Sequence, residues 1–257
     1  MVDSNVPVAA DMERSRVARH TRSRFFLVMA GALLLIVLVG FSPTLYLRAY
    51  FDVPDVPAYL LVHGAILTVW FVWFFIQTSL VAVQRTDLHR RLGVIGVGIG
   101  VVVLVASAVA PLGLVPRLIT AGVDIEANMA LFAMGVWINL GMAINFSVFL
   151  TLSVVYRRQS EIHKRLMLLA SVSIVGPALA RFGQFPDAGE MNPNEGVFLL
   201  GGLLMLLLAL VLNDVVAQKR LHPVTMWGAP FVIVLPAALG FLIGNTAFGH
   251  SIVLLFS

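Results

Sequence analysis

Three short basic turns, each with one histidine, carry the side chains of this sequence that are best suited to chemistry. They read Arg-Thr-Asp-Leu-His-Arg-Arg-Leu-Gly at 85–93, Arg-Gln-Ser-Glu-Ile-His-Lys-Arg-Leu-Met at 158–167 and Lys-Arg-Leu-His-Pro at 219–223. Neutral imidazoles can ligate haem iron or zinc, and neighbouring cations can pair with haem propionates. One candidate set therefore comprises His89, His163 and His222 with Arg90, Arg91, Lys164 and Arg165.

A second set of polar side chains lies inside apolar segments. His63, Trp70 and Gln77 are spaced by seven residues, which places them on one face of a helix. Because polar groups in hydrocarbon face the interior of a helical bundle, we expect a pocket at the ends of the helices opposite the turns. The alternative is that His63 and Asn139 only bond between helices and that Arg181 extends to the membrane surface. The candidate pocket residues are His63, Trp70, Gln77, Asn139, Arg181, Gln184 and Arg48, with the second, fourth, fifth and seventh apolar segments as its walls.

The composition determines which elements position these residues. The 257 residues are 60% hydrophobic and 12% charged, whereas about a quarter of the residues in a soluble domain are charged. This balance is typical of a protein that crosses a membrane several times. The absence of cysteine excludes disulfides, thiolate metal sites and cysteine nucleophiles.

The apolar segments predict an all-α integral membrane protein with seven transmembrane helices, arranged as one leading helix and three helical hairpins. Residues 1–22 are predicted to be a disordered cytoplasmic tail, and residues 23–257 a single seven-helix domain. Thr86 or Asp87, and Ser160, are predicted as helix N-caps, and Pro223 is predicted in a first helical turn. The predicted spans are 25–48, 57–84, 89–114, 128–156, 163–185, 195–217 and 222–248.

The positions of the cations predict the orientation. Five Lys and Arg residues lie ahead of the first predicted span, three in the first turn, four in the second and two in the third, whereas the other side has only Arg48, Arg117 and Arg181. Positive charge collects on the cytoplasmic side, so the N-terminus and the turns are predicted to be cytoplasmic and the C-terminus outside. The same rule alone explains why all three turns are basic. A true triplication of the hairpin would explain it as well, and both explanations stay open. The net charge of +4 reflects this topology and predicts no nucleic-acid partner.

Four strings of the sequence carry a resemblance: Leu-His-Arg-Arg-Leu-Gly at 88–93, His-Lys-Arg-Leu-Met at 163–167, His-Pro-Val-Thr-Met-Trp-Gly at 222–228 and His-Gly-Ala-Ile-Leu-Thr-Val-Trp at 63–70. They resemble a widespread group of uncharacterised bacterial multi-helix membrane proteins. The resemblance implies a bacterial inner-membrane protein and assigns no activity. The first turn is also similar to turns of membrane cytochrome b and haem A synthase families, which implies haem binding.

Three functions follow as hypotheses. We favour a membrane module that binds or moves a small amphiphile, such as a quinone or a lipid, in the outer pocket. The first alternative is a redox protein that binds haem b through the turn histidines. The second is a zinc-dependent membrane hydrolase that resembles the adiponectin-receptor and alkaline-ceramidase group but lacks its paired intrahelical histidines. No nucleotide loop, His-Glu-x-x-His or Gly-x-Ser-x-Gly motif occurs, and whether the protein is an enzyme stays open.

Overall fold

Every regular element in the described part of the chain is a helix. The structure, a computed structural model, describes residues 24–51, 53, 55–113, 116, 117, 119, 122–185 and 194–255. The predicted tail at 1–22 lies outside these residues. The helices are α1 (Arg24–Gly40) with a π-helical turn at Ser42–Tyr46, α2 (Ala58–Ala82), α3 (Thr86–Val109), α4 (Ile125–Val155), α5 (Ser160–Ser173), α6 (Gly176–Ala180), α7 (Asn194–Gln218), α8 (Pro223–Ala238) with a π-helical turn at Leu239–Ile243, and α9 (Ala247–Leu254).

Long apolar helices make the chain a multi-pass membrane protein. Five described helices are long and apolar enough to cross a bilayer: α2, α3, α4, α7 and α8 with its π-helical turn. The bent pair formed by α5, α6 and the 3₁₀ turn Arg181–Gln184 adds a sixth if it counts as one span. Large apolar side chains point outward from these helices, including Val94 (76% exposed) and Met205 (63% exposed). Such a surface matches a hydrocarbon solvent.

The three histidine turns meet at one end of the bundle, called here the turn end. Each turn is short, since only residues 83–85, 156–159 and 219–222 separate the paired helices. The rings of His89 and His163 are in contact, with centroids 6.2 Å apart, and Arg165 pairs with Asp214 beside the third turn. The ammonium of Lys164 lies 4.9 Å from the Phe26 ring centroid, so α1 begins at the same end.

Two predicted spans are interrupted in the structure. The span predicted at 163–185 bends by 50° between α5 and the following helix. Pro177 has no N–H, and its ring clashes with the carbonyl four residues earlier, at Ser173, where α5 ends. The span predicted at 222–248 ends at Ile243, and the chain turns before α9.

The prediction of two N-caps was also wrong. Arg85 and Gln159 occupy the N-cap positions of α3 and α5, and neither makes a side-chain cap bond. Thr86 and Ser160 are the first helical residues instead, at a membrane surface where water can satisfy the free N–H groups. The prediction of Pro223 in the first turn of α8 is confirmed.

The core of the bundle depends on close contact between α4 and α8. A Cβ atom on Gly141 would lie 2.6 Å from the Cα of Pro236, so only glycine allows this approach. Pro236 lacks the N–H that would bind the carbonyl of Val232 within the helix. The side chain of Asn145 replaces it, because its Nδ2 donates to that carbonyl at 3.1 Å. Asn145 is fully buried, and its amide joins the two helices where the helical hydrogen bond is missing.

Candidate functional site

A cavity of about 460 Å³ lies at the end of the bundle opposite the turn end. This volume falls in the range of roughly 300–1,000 Å³ that small-molecule sites occupy. We call it the outer cavity. Four residues that the sequence predicts for the pocket contribute to its polar lining: His63, Asn139, Arg181 and Gln184. Its apolar lining includes Phe41, Leu45, Leu60, Leu67, Met142 and Ile174.

His63 reaches the outer cavity from α2 and is oriented by α3. Its Nδ1 lies 3.1 Å from the carbonyl oxygen of Ala106. A carbonyl oxygen only accepts, so Nδ1 carries the proton and donates it. The neutral ring then has a lone pair at Nε2, and the imidazole offers an acceptor.

Arg181 supplies positive charge to the outer cavity from the 3₁₀ turn after α6. Its guanidinium carbon lies 4.8 Å from the centroid of the Phe41 ring, a cation–π contact with the residue that follows α1. Arg117 also lines the cavity, and the charges of Arg117 and Glu195 act on Arg181. Gln184 donates from Nε2 to Oε1 of Glu195 at 3.0 Å. The described lining residues include two guanidinium groups and no carboxylate.

Smaller polar groups complete the lining. The amide of Asn139 donates to the carbonyl of Gly135 in its own helix at 2.9 Å, so it does not join two helices. Tyr59 donates its hydroxyl hydrogen to the carbonyl of Gly113 at 3.0 Å. The Oγ of Ser107 is buried and has no hydrogen-bond partner. Sequence reasoning missed Ser107 and Arg117 as lining residues, because neither lies on the polar face of the second span.

Three residues predicted for the pocket lie elsewhere. Trp70 is buried in the core and donates from Nε1 to Oγ of Ser171 at 3.2 Å. Gln77 is buried farther along α2, toward the turn end, and neither of its amide atoms has a partner. Arg48 pairs with the exposed carboxylate of Asp55 at 3.1 Å. The walls also differ from the prediction, since the segment just after α1 and helix α3 contribute lining residues while the described lining has none from the seventh predicted span.

Two of the turn histidines form a pair at the turn end. The rings of His89 and His163 meet edge to face at an interplanar angle of 73°. His163 donates from Nδ1 to the carbonyl of Ser153 at 2.8 Å, which leaves a lone pair on Nε2 of the neutral ring. The His89 ring lies beside the backbone carbonyl of Gln77, but its Nδ1 has no partner within hydrogen-bond geometry.

His222 has a different role from the other two turn histidines. It is the N-cap of α8, and its Nδ1 accepts a hydrogen bond from the backbone N–H of Val224 at 3.2 Å. The only lone pair of the neutral ring is therefore occupied. Partial burial lowers the pKa of His222, the guanidinium of Arg165 lowers it further, and the carboxylate of Asp214 opposes both.

A buried ion pair lies beside this cap. Arg165 bonds through Nε and Nη2 to the carboxylate of Asp214, and both side chains are almost fully buried. Asp214 also accepts from the Thr225 hydroxyl at 2.5 Å, while Glu161 accepts from Arg165 at 2.9 Å. Sequence reasoning missed Asp214, although an aspartate inside the Leu-rich segment 195–217 is a sign of a buried charged partner.

The arrangement at the turn end bears on the two alternative functions. No three His, Asp or Glu side chains within the described ranges are close enough to hold a metal ion together, so the three turn histidines do not form a zinc site there. Of the cations proposed for haem propionates, Lys164 and Arg165 bind carboxylates of the chain itself, whereas Arg90 and Arg91 are exposed.

Comparison with known proteins adds no family to these observations. No family model, no curated protein and no solved structure matches the chain.

Proposed function

We propose that the chain is a bacterial inner-membrane protein that binds or translocates a small amphiphile, such as a lipid or a quinone, in the outer cavity. The observation that carries this proposal is that His63, Asn139, Arg181 and Gln184 line one cavity whose remaining walls are largely apolar. Polar groups at one place in an apolar cavity suit a ligand with a polar head and an apolar tail.

The proposed topology has seven spans, with α1 and the bent α5–α6 pair both crossing the bilayer. The turn end faces the cytoplasm, because the basic residues of all three turns lie there. The outer cavity then lies in the outer leaflet, where an amphiphile can enter from the lipid or from the exterior. The resemblance to uncharacterised bacterial membrane proteins with similar histidine turns supports the same membrane.

The proposal is tested by identifying the small molecules that co-purify with the protein. Wild-type protein and the variants His63→Leu, Arg181→Leu and Arg48→Leu are purified in detergent, and their organic extracts are compared by mass spectrometry. Arg48→Leu is the matched control, because Arg48 is a cation outside the described cavity lining. We expect one amphiphile to be enriched in wild type and Arg48→Leu and reduced about tenfold or more in Arg181→Leu, the effect of losing a charged hydrogen bond. Equal extracts from all four proteins would contradict the proposal.

A haem b-binding redox protein is the second candidate, and the contact between His89 and His163 favours it. His163 donates from Nδ1 to a backbone carbonyl, the arrangement that orients a metal-ligating imidazole. Its Nε2 and the His89 ring are the groups that would hold the iron, and haem would supply one-electron chemistry. A Soret band that is lost in His163→Ala and kept in His222→Ala would support this candidate. A protein that stays colourless after haem is supplied would exclude it.

A further inference from the structure

We infer that a narrow cleft between α2 and α3 binds a short chain of water molecules and opens at the turn end. Its lining comprises Trp73 and Gln77 on α2 and His89 and Gly93 on α3, and we call it the inner cleft. The inner cleft lies toward the turn end and the outer cavity lies at the opposite end of the bundle, so the two sites are tested separately.

Four buried polar atoms of this lining have no hydrogen-bond partner in the part of the chain that the structure describes. They are the indole Nε1 of Trp73, both amide atoms of Gln77 and Nδ1 of His89. Gln77 is only 8% exposed, so bulk solvent scarcely reaches its amide. A buried polar group without a partner costs free energy, and hydrocarbon cannot supply the missing bond. In native proteins such groups bind ordered water.

The four atoms lie along the contact between two helices. Trp73 and Gln77 are four residues apart on α2, so they share one face of that helix. A Cβ atom on Gly96 of α3 would lie 2.8 Å from the indole Nε1 of Trp73, which places this face against α3. The His89 ring of α3 lies beside the backbone carbonyl of Gln77. The same water chain can therefore reach all four atoms.

Gly93 leaves space for water beside Gln77. His89, Gly93 and Gly96 are spaced by four and three residues, which places them on one face of α3. Because α2 and α3 are antiparallel and Trp73 meets Gly96, the rise per residue places Gly93 at the level of Gln77. No described atom from another element lies within 4 Å of the position that a Cβ on Gly93 would take. Water suits this space, because the indole only donates whereas the amide both donates and accepts.

The inner cleft extends from the turn end toward the middle of the bundle. Since α2 ends at Ala82, the helical rise places Gln77 about 8 Å and Trp73 about 14 Å from that end. Farther along the same two helices, Trp70 is 1% exposed and Val103 is fully buried. The indole N–H of Trp70 is already bonded to a serine of α5. The water chain therefore ends at Trp73, short of the outer cavity.

The inner cleft brings water to the histidine pair of the turn end. His89 lines the cleft through Nδ1, and its ring is in contact with that of His163. Water both donates and accepts hydrogen bonds, so it satisfies Nδ1 of His89 in either tautomer of the neutral ring. Polar side chains inside a membrane bundle commonly line a water-filled space of this kind.

Single cysteine substitutions test for water in the cleft, because the chain has no cysteine of its own. Gly93→Cys places a thiol in the inner cleft. Val94→Cys is the matched control, since Val94 is the next residue along α3 and is 76% exposed on the outer surface of the bundle. Each variant is reconstituted in nanodiscs, and its reaction with a charged methanethiosulfonate is followed by mass spectrometry. The thiolate is the reactive form and apolar surroundings keep the thiol protonated, so we expect Gly93→Cys to react about tenfold faster or more.

A second substitution assigns the water to the polar lining. In the Gly93→Cys background, Gln77→Leu should slow the reaction toward the rate of Val94→Cys, because the amide that binds the water is removed. Gln218→Leu, the same change on α7, should leave the rate unchanged. Thermal unfolding of each variant shows whether it is folded.

Radiolytic labelling of the wild-type protein decides the question if Gly93→Cys does not fold. Hydroxyl radicals formed from bound water should oxidise Trp73 and spare Trp70, whose indole is bonded within the core. Equal reaction rates in Gly93→Cys and Val94→Cys would overturn the inference. Reaction of Gly93→Cys with an uncharged, lipid-soluble maleimide but not with the charged reagent would also overturn it, because a lipid chain would then fill the space.

Discussion

Arg165 and Asp214 form an ion pair in which the side chains are 1% and 0% exposed. It joins α5 to α7 at the turn end, and Thr225 extends it to α8. Replacing Asp214 with Leu leaves the guanidinium buried without its main partner. We expect this variant to lose about 3–5 kcal/mol of unfolding free energy, the usual cost of breaking a buried pair. Reversible unfolding of the purified protein in mixed micelles measures it.

Glu161→Gln serves as the control for that prediction. Glu161 also binds Arg165, but its side chain is 43% exposed, so the loss should be at most about 1 kcal/mol. The double variant Arg165→Met with Asp214→Leu removes both charges and should recover most of the stability lost in Asp214→Leu. Equal losses in Glu161→Gln and Asp214→Leu would show that burial does not determine the strength of this pair.

Asn145 satisfies the carbonyl that Pro236 leaves without a partner. Asn145→Leu should therefore cost about 1–3 kcal/mol of unfolding free energy, since a buried carbonyl loses its donor. In the Pro236→Ala background, residue 236 has an N–H that can bond to Val232. The same Asn145→Leu change should then cost less, and an unchanged cost would refute the link between the two residues.

His222 should titrate below its ordinary pKa of about 6.5. Its pKa is lowered in the folded protein by partial burial and by Arg165, with Lys164 acting in the same direction and Asp214 and Glu161 opposing them. Between the folded pKa and about 6.5 the unfolded chain binds more protons, so stability falls as the pH falls through this window. Protonation of Nδ1 also ends its cap bond to Val224.

His222→Asn provides the measurement. Asn is a good N-cap and does not titrate. The melting temperature of the variant should therefore decrease less than that of wild type between neutral and mildly acidic pH. The imidazole signal of His222, assigned by its absence from the variant, should titrate below about 6.5 in NMR spectra. A midpoint at or above that value would contradict the expected direction.

Reporter fusions test the proposed topology. A reporter after Ser257 should be active outside the cytoplasm, and one inserted at Thr86 should be active inside it, because the basic residues lie at the turn end. A cytoplasmic signal from the C-terminal fusion would mean an even number of spans.

The helices and their turns were largely predictable from the sequence, whereas the breaks within them were not. Long apolar segments between basic turns predict α2, α3, α4 and α7 to within about five residues, since a bilayer requires helices of that length. The bend at Pro177 was not predicted, because proline is tolerated in membrane helices when neighbouring groups satisfy the backbone. Whether it bends a helix depends on packing that a single sequence does not display.

The lining of the outer cavity was predictable only in part. His63, Asn139, Arg181 and Gln184 stand out because polar side chains are rare in apolar segments. Trp70 shares the helical face of His63 but lies deeper, where it bonds to Ser171 in the core. Residue spacing therefore predicted the shared face and not the depth of each residue in the bundle. Ser107 joins the lining through the packing of α3 against α2, which no periodicity in the sequence indicates.

Photolabelling tests most directly whether an amphiphile occupies the outer cavity. A fatty acid with an alkyl diazirine is irradiated with the protein in nanodiscs, and the labelled peptides are identified by mass spectrometry. We predict saturable labelling of cavity residues such as Leu60, Leu67 and Ile174, which is lost when Ala143, a buried lining residue, is replaced by Phe to fill the space. Labelling confined to outward-facing residues such as Val94 and Met205, and unchanged in Ala143→Phe, would contradict the proposal.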